Sequence, residues 1–278
     1  MRRKTGSKGH YCCMEKNRQI PSFAPINEDH SIERVSFAVA FKSAFSAQSI
    51  LAIQSGHDAW RSGLPATGSV EQTLNSPAGT INVPGVQFAF LRPNGEPTWS
   101  MEISKNEIRI DCSLYTRWDK VWASAFEYLT QVLSQVSSSP AGNNKLLAVE
   151  LEVKDAFVAN GRYNPSEFFN NTDFIAPTLL KNGPLWHCNT GWFDQDGLKT
   201  LQNVNLTGTV VNAAEDQYLI SIEHKQVRYP ETGDSIQSLL ESQLAIINQQ
   251  MIELHKKNKS LLIQLLSDGL RRTIGLGG

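Results

Sequence analysis

The 278-residue chain has almost no excess charge of either sign. Lys and Arg number 26 against 27 Asp and Glu, a formal net charge of -1. No global field draws it to nucleic acid or anionic lipid, so a nucleic-acid partner is not favoured. Cysteine is scarce: Cys12, Cys13, Cys112 and Cys188 are the only four. One adjacent pair and two isolated thiols make a poor disulfide framework. A chain of this length needs no staples, so reduced thiols in a cytoplasm are expected. No apolar run approaches the ~20 residues that span a membrane. The basic start (Arg2, Arg3, Lys4, Lys8) lacks a following apolar stretch, so a secretory signal is not expected there. The phosphate-binding glycine loops are missing, as are paired Cys-x-x-Cys and His-x-x-x-His spacings. No catalytic set, cofactor or metal is therefore expected.

What is present is ordinary for a folded protein. Hydrophobic residues make up 40% and charged residues 19%, which excludes wholesale disorder. The length fits one large domain or two small ones. Residues 1–30 are expected to be a mobile basic leader, with Met14 an alternative start.

The pattern beyond the leader alternates between two periods. Val35-Ser-Phe-Ala-Val-Ala-Phe41 is a half-buried strand. Ser46 is placed to cap a helix through Trp60. Residues 62–85, rich in Gly, Pro, Ser and Thr, read as a long loop. Strands follow over 86–91, 98–104 and 107–114, joined by Arg92-Pro-Asn-Gly-Glu-Pro97 and Lys105-Asn106. A helix over 118–136 carries apolar residues three or four apart. Ser137-Ser-Ser-Pro-Ala-Gly-Asn-Asn144 ends it and divides the chain into halves, 31–140 and 145–278, within one compact unit.

The second half opens with a strand over 145–157, with Leu147, Val149, Leu151 and Val153 on one face. Strands are expected over 184–193, 201–212 and 218–229, with Asp194-Gln-Asp-Gly197 as a turn. Asp234 is expected to cap a final helix, with Gln237 as its capping-box partner. No Gly or Pro interrupts 234–268, a helix of roughly 50 Å if continuous. The polar stretch His255-Lys-Lys-Asn-Lys-Ser260 separates two apolar stripes, so a kink or break is expected there. Each half thus runs strand, helical or irregular connection, three strands, long helix. The fold class is α+β: an antiparallel sheet packed by long helices in the helix-grip or TBP-like manner.

Candidate chemistry is sparse. Glu150 and Glu152 share a strand face and could do acid–base work, but no third partner is apparent and a solvent-facing edge explains them. His187 and Cys188 are neighbours on a strand and point apart. Asp194-Gln-Asp-Gly197 lacks the later ligands of a calcium loop. Gly277-Gly278 resembles a modifier tail, although helices commonly end in Gly. Lys256, Lys257, Lys259, Arg271 and Arg272 form a basic patch which, with Leu261, Leu262 and Leu265, is the expected contact surface for a protein partner or a second copy. Tyr115, Trp118 and Trp122 could form a ligand-stacking wall.

Three segments carry a resemblance. Ile32-Glu-Arg-Val-Ser-Phe-Ala-Val-Ala-Phe41, Tyr115-Thr-Arg-Trp118, and Leu254-His-Lys-Lys-Asn-Lys259 followed by Ile274-Gly-Leu276 resemble a sporadically distributed bacterial family of uncharacterised proteins. That family's Arg-led middle strand ending in Tyr and Asn has no match over 147–157. Its patchy distribution implies bacterial antiviral-defence or toxin–antitoxin contexts, and it brings no activity and no catalytic residues. The expectation is a non-enzymatic binding or interaction protein. The alternatives are a small-ligand carrier or sensor with a cavity between sheet and helix, or an enzyme whose site is not visible as a motif.

Overall fold

The computed structural model describes residues 22–28, 30–76, 79–137, 140–194, 199–231 and 233–276. Cys12-Cys13, the Gly277-Gly278 tail and most of the Asp194–Gly197 turn lie outside the described residues. β1 (Ser22–Pro25) precedes the first half, which contains β2 (Ile32–Phe41), α1 (Ala47–Ser55), β3 (Ala66–Ser76), β4 (Gly79–Leu91), β5 (Pro97–Ser104), β6 (Glu107–Cys112) and α2 (Trp118–Ser137). The second contains β7 (Leu146–Asn160), α3 (Pro165–Phe168), β8 (Trp186–Phe193), β9 (Lys199–Asn212), β10 (Gln217–Tyr229), α4 (Ile236–Glu241), α5 (Ala245–Leu265) and α6 (Asp268–Thr273).

The fold is mixed α+β, built on one ten-stranded sheet in the order β3-β4-β5-β6-β2-β7-β10-β9-β8. Every pairing is antiparallel. The first strands of the two halves, β2 and β7, pair at the centre, so one sheet crosses the sequence boundary. β1 takes up the same side of β7 beyond the end of β2, with Ser22 opposite Asn160 and Ile32 opposite Asp155. Part of the expected leader is therefore a strand.

Strand alternation sends one set of side chains under the helices. Val35, Phe37 and Val39 of β2, Val149, Leu151 and Val153 of β7, and Ile108 and Ile110 of β6 meet Val121, Trp122, Ala125, Leu129 and Val132 of α2 in one core. Burial of such side chains stabilises by ~1.5–3 kcal/mol each. A second core joins Phe157, Ile220 and Ile222 to Leu261, Leu262, Leu265 and Leu270. Ser46 caps α1 by accepting from the Ser49 N–H at 3.1 Å.

Four expectations change. The stretch 62–85 forms most of the β3–β4 hairpin, whose small polar residues pair on the sheet's edge, rather than a loop. The final helix breaks at 242–244, where Gln243 and Leu244 both take positive φ, and not at 255–260. Its cap is Ser235, accepting from Ser238 at 3.1 Å, rather than Asp234. A register shift between Ala40 and Phe41 turns Leu146 inward and leaves Leu147 38% exposed. No described helix is long and apolar enough to cross a membrane.

Candidate functional site

The two cores are separated by a buried polar layer beneath α5. On β10 the inward positions run Tyr218, Ile220, Ile222 and then His224, Gln226, Arg228, all buried. α5 answers each one. Asn258 Oδ1 lies 2.8 Å from His224 Nδ1, Gln226 Nε2 donates to the Leu254 carbonyl at 2.9 Å, and Arg228 pairs with Glu253. The chain of bonds extends outward. His224 Nε2 meets Gln202 Oε1 at 2.8 Å, and Gln202 Nε2 and Lys257 Nζ both donate to Asp194 Oδ2, at 2.8 and 2.5 Å. Burial holds the His224 imidazole down to about 4, against the opposing bond from Asn258 and the charge of Asp194.

Asn258 also faces a cavity of about 490 Å³ on the other side of α5. Its walls come from elements far apart in sequence: His30, Ser31 and Ile32 at the start of β2, Tyr115, Thr116, Arg117 and Trp118 at the start of α2, Asp155 of β7, His255, Asn258, Lys259 and Leu262 of α5, and Ile274, Gly275 and Leu276 after α6. The chain between β1 and β2 leaves the edge of β7 here. Ile26 N–H reaches the Ala156 carbonyl and the Ser31 carbonyl accepts from Ala156 N–H at 2.7 Å. That excursion puts Ser31 beside Asp155.

Asp155 is the residue that sets this cavity apart. It sits on the inward, apolar side of β7 between Val153 and Phe157 and is 1% exposed. Its Oδ1 accepts from Ser31 Oγ at 2.6 Å. Its second oxygen has no hydrogen-bond partner among the described residues. Burial raises the carboxyl to about 6, against the Ser31 bond that lowers it. Tyr115 is pushed up to about 12, by burial first and then by the Asp155 charge. His255 lies flat on Trp118, ring centroids 3.8 Å and planes 3° apart. Burial, and then Lys259, lower its imidazole to about 4, so it is neutral at pH 7. Arg117 and Lys259 are exposed cations on the cavity wall with no acidic partner among the described residues.

The expected site residues are distributed unevenly. Tyr115 and Trp118 line the cavity. Trp122 belongs to the first core, its Nε1 donating to Asn248 at 2.8 Å. Leu261, Leu262 and Leu265 are buried in the second core, so the apolar side of that segment is used within the chain. Lys257 is held by Asp194, and Arg271 by Asp268. Of the proposed contact set, Lys256, Lys259 and Arg272 remain exposed, with Lys259 on the cavity. The segments 32–41, 115–118, 254–259 and 274–276 all contribute to the lining of this cavity.

The other candidates are committed to structure. Glu150 and Glu152 lie on a central strand, not an edge, each 8% exposed on the helix-free face. Glu150 is held by Arg109 at 2.7 Å and Lys225 at 2.8 Å, and Glu152 by Arg34 at 2.5 Å. His187 bonds Asn205 at 3.0 Å, while Cys188 packs on the opposite side against the second core. A groove of about 560 Å³ beyond Lys257 is floored by His224, Gln202 and Asp194, which are bonded to one another. Among the described residues no group of three or more His, Cys, Asp and Glu could hold a metal.

Sequence reasoning missed Asp155, His224 and His255. The signal existed for two of them. An acid interrupts the inward apolar positions of β7, and a run of polar residues replaces the inward apolar positions of β10. Compared with known protein families and with curated proteins, the chain matches none.

Proposed function

We propose that the protein binds a small molecule in the cavity between the sheet, α2 and α5, as a sensor or carrier. One observation carries this reading: Asp155 is buried and keeps one carboxylate oxygen without a partner on the cavity wall. That oxygen opens on the cavity, where a ligand N–H or O–H donor would complete its hydrogen bonding. The reading is one of binding rather than catalysis, with the Ser31 hydroxyl holding the Asp155 carboxylate in place at 2.6 Å. It also supports a TBP-like or helix-grip relationship of the halves, with the first strand of each half paired at the centre and long helices over one face.

The test is a thermal-shift screen of small polar molecules against the wild type and Asp155→Asn, with mass spectrometry of whatever co-purifies. Ligands that raise the melting temperature of the wild type by several degrees, and lose that effect in Asp155→Asn, support the reading. Ligands insensitive to Asp155→Asn, or none at all, sink it.

A further inference from the structure

The cavity has a second chemical pole. α2 is a 20-residue helix that begins at Trp118, on the cavity wall. Its first internal bond runs from Val121 N–H to the Arg117 carbonyl at 3.0 Å. The N–H groups of Trp118, Asp119 and Lys120 therefore have no partner inside the helix. No side chain caps them among the described residues. The residue before the helix is Arg117, whose side chain has no acceptor. The Tyr115 carbonyl nearby already meets His30 Nε2 at 3.0 Å. Asp119, the acid of the first turn, is exposed and off the cavity wall.

An uncapped helix start of this length attracts an anion through its free N–H groups and its dipole. Arg117, at the start of α2, and Lys259, on α5, add two cations to the lining of the same cavity. A helix end, a guanidinium fork and an ammonium are donors that suit a phosphate, which offers three oxygens. The opposite demand comes from Asp155, whose free oxygen asks for a donor. Between the poles the walls are flat or apolar: Tyr115, His255 against Trp118, and Leu262. A volume of about 490 Å³ is that of a site for an organic molecule rather than a bare ion.

We propose that the cavity takes a nitrogen-bearing organic phosphate of mononucleotide size, its ring N–H edge on Asp155 and its phosphate at the start of α2 between Arg117 and Lys259. This rests on the cavity being a ligand site. Among the nucleobases, guanine presents adjacent N–H donors, one for the free Oδ2 of Asp155 and one for the second lone pair of Oδ1, whereas adenine offers one amino group beside an acceptor.

The probes are guanosine monophosphate, adenosine monophosphate, guanosine and inorganic phosphate, titrated calorimetrically against the full chain. Guanosine monophosphate is expected to bind, with guanosine about 10- to 100-fold weaker and affinity for the phosphate form falling with salt. The Arg117→Ala, Lys259→Ala double variant is expected to lose most of the preference for guanosine monophosphate over guanosine, the helix start retaining the remainder, with guanosine affinity unchanged. Asp155→Asn is expected to weaken both and to level guanosine with adenosine monophosphate. Arg117 and Lys259 are exposed, so an unchanged melting temperature is the folding control. Equal affinity for guanosine and its monophosphate, no binding of the monophosphate at millimolar concentration, or full affinity in the double variant overturns the proposal. If a screened compound binds through Asp155 while these probes do not, only this inference falls. If no compound depends on Asp155, the ligand-site reading falls with it.

Discussion

The imidazole of His255 is stacked on the indole of Trp118 across the gap between α5 and α2, centroids 3.8 Å apart. These helices belong to different halves of the chain, and the stack ties them where the cavity opens. Its attraction is aromatic, because the ring is neutral at pH 7. His255→Phe keeps the stack and is expected to leave stability within about 1 kcal/mol of the wild type. His255→Ala is expected to cost about 1–2 kcal/mol, and Trp118→Ala about 3 kcal/mol through lost volume. Urea unfolding midpoints check the order, and an equal loss for His255→Phe and His255→Ala would exclude the stack as the cause.

Acid sensitivity follows from three buried groups. His224 and His255 are held at about 4 in the fold against an ordinary 6.5. Between pH 6.5 and 4 the unfolded chain takes up protons that the folded chain refuses, so both residues make stability fall on acidification. Asp155 acts in the opposite direction. It sits at about 6 in the fold against an ordinary 3.8, so from pH 6 to 4 the folded chain takes up the extra proton. Two histidines outweigh one aspartate, and the net effect is a loss of stability as pH falls through this window. Asp155→Asn removes the opposing contribution and is expected to steepen that loss. Unfolding free energies at pH 4 to 7 measure it, and an unchanged slope in the variant would show Asp155 to be unperturbed.

Most of the strands and α2 were legible because their apolar residues recur at the spacing each element needs, whereas β1 and β3 carry no such pattern and were read as leader and loop. The position of the helix break was not. α5 presents Ile247, Met251, Leu254, Asn258, Leu261 and Leu265 to the sheet at spacings of three or four. Asn258 fills an inward position, so two apparent stripes are one, and the lysines around it are good helix formers that project outward. The actual break needs two successive left-handed residues, Gln243 and Leu244. Nothing local in Ser242-Gln-Leu244 announces that conformation, since it is imposed by packing Leu239 and Leu244 together in the core. The cavity was invisible for a related reason. Its polar residues come from four separate segments, and only pairing β2 with β7 brings Ser31 to Asp155.

The hydrogen-bond chain through His224 fixes its tautomer. Gln202 gives its amide N–H to Asp194, so its oxygen must accept from His224 Nε2–H. A neutral ring has one N–H, which leaves Nδ1 as an acceptor, and Asn258, whose Oδ1 lies 2.8 Å from it, satisfies it when its amide oxygen and nitrogen are exchanged. Asn258→Asp replaces that donor with a buried acceptor. The variant is expected to raise the His224 imidazole above its ordinary 6.5 by creating an ion pair, read from its NMR titration. Asn258→Leu is expected to cost about 2–3 kcal/mol by stranding Nδ1. The His224→Leu, Asn258→Leu pair is expected to cost less than the two single losses together. Strict additivity would mean that the contact contributes nothing.

The turn between α4 and α5 holds the clearest backbone strain in the second half. Gln243 and Leu244 both have φ of 54°, a region that costs a residue with a Cβ about 1–2 kcal/mol. Leu244 is fully buried in the first core, so its strain is offset by packing and any truncation there confounds the two effects. Gln243 is exposed and has no such compensation. Gln243→Gly removes the Cβ penalty and adds unfolded-state entropy worth about 0.5–1 kcal/mol in the opposite direction. The balance is expected to lie between no change and about 1 kcal/mol of added stability. Gln243→Asn tolerates the same conformation and is expected near the wild type. Gln243→Val, with a branched Cβ in the same φ, is expected to lose about 1 kcal/mol or more. Denaturant midpoints for the three variants should therefore rank Gly first and Val last. A Val variant as stable as Gly would show that this turn is free to adopt another conformation, and that the break between the helices is not held by these two residues.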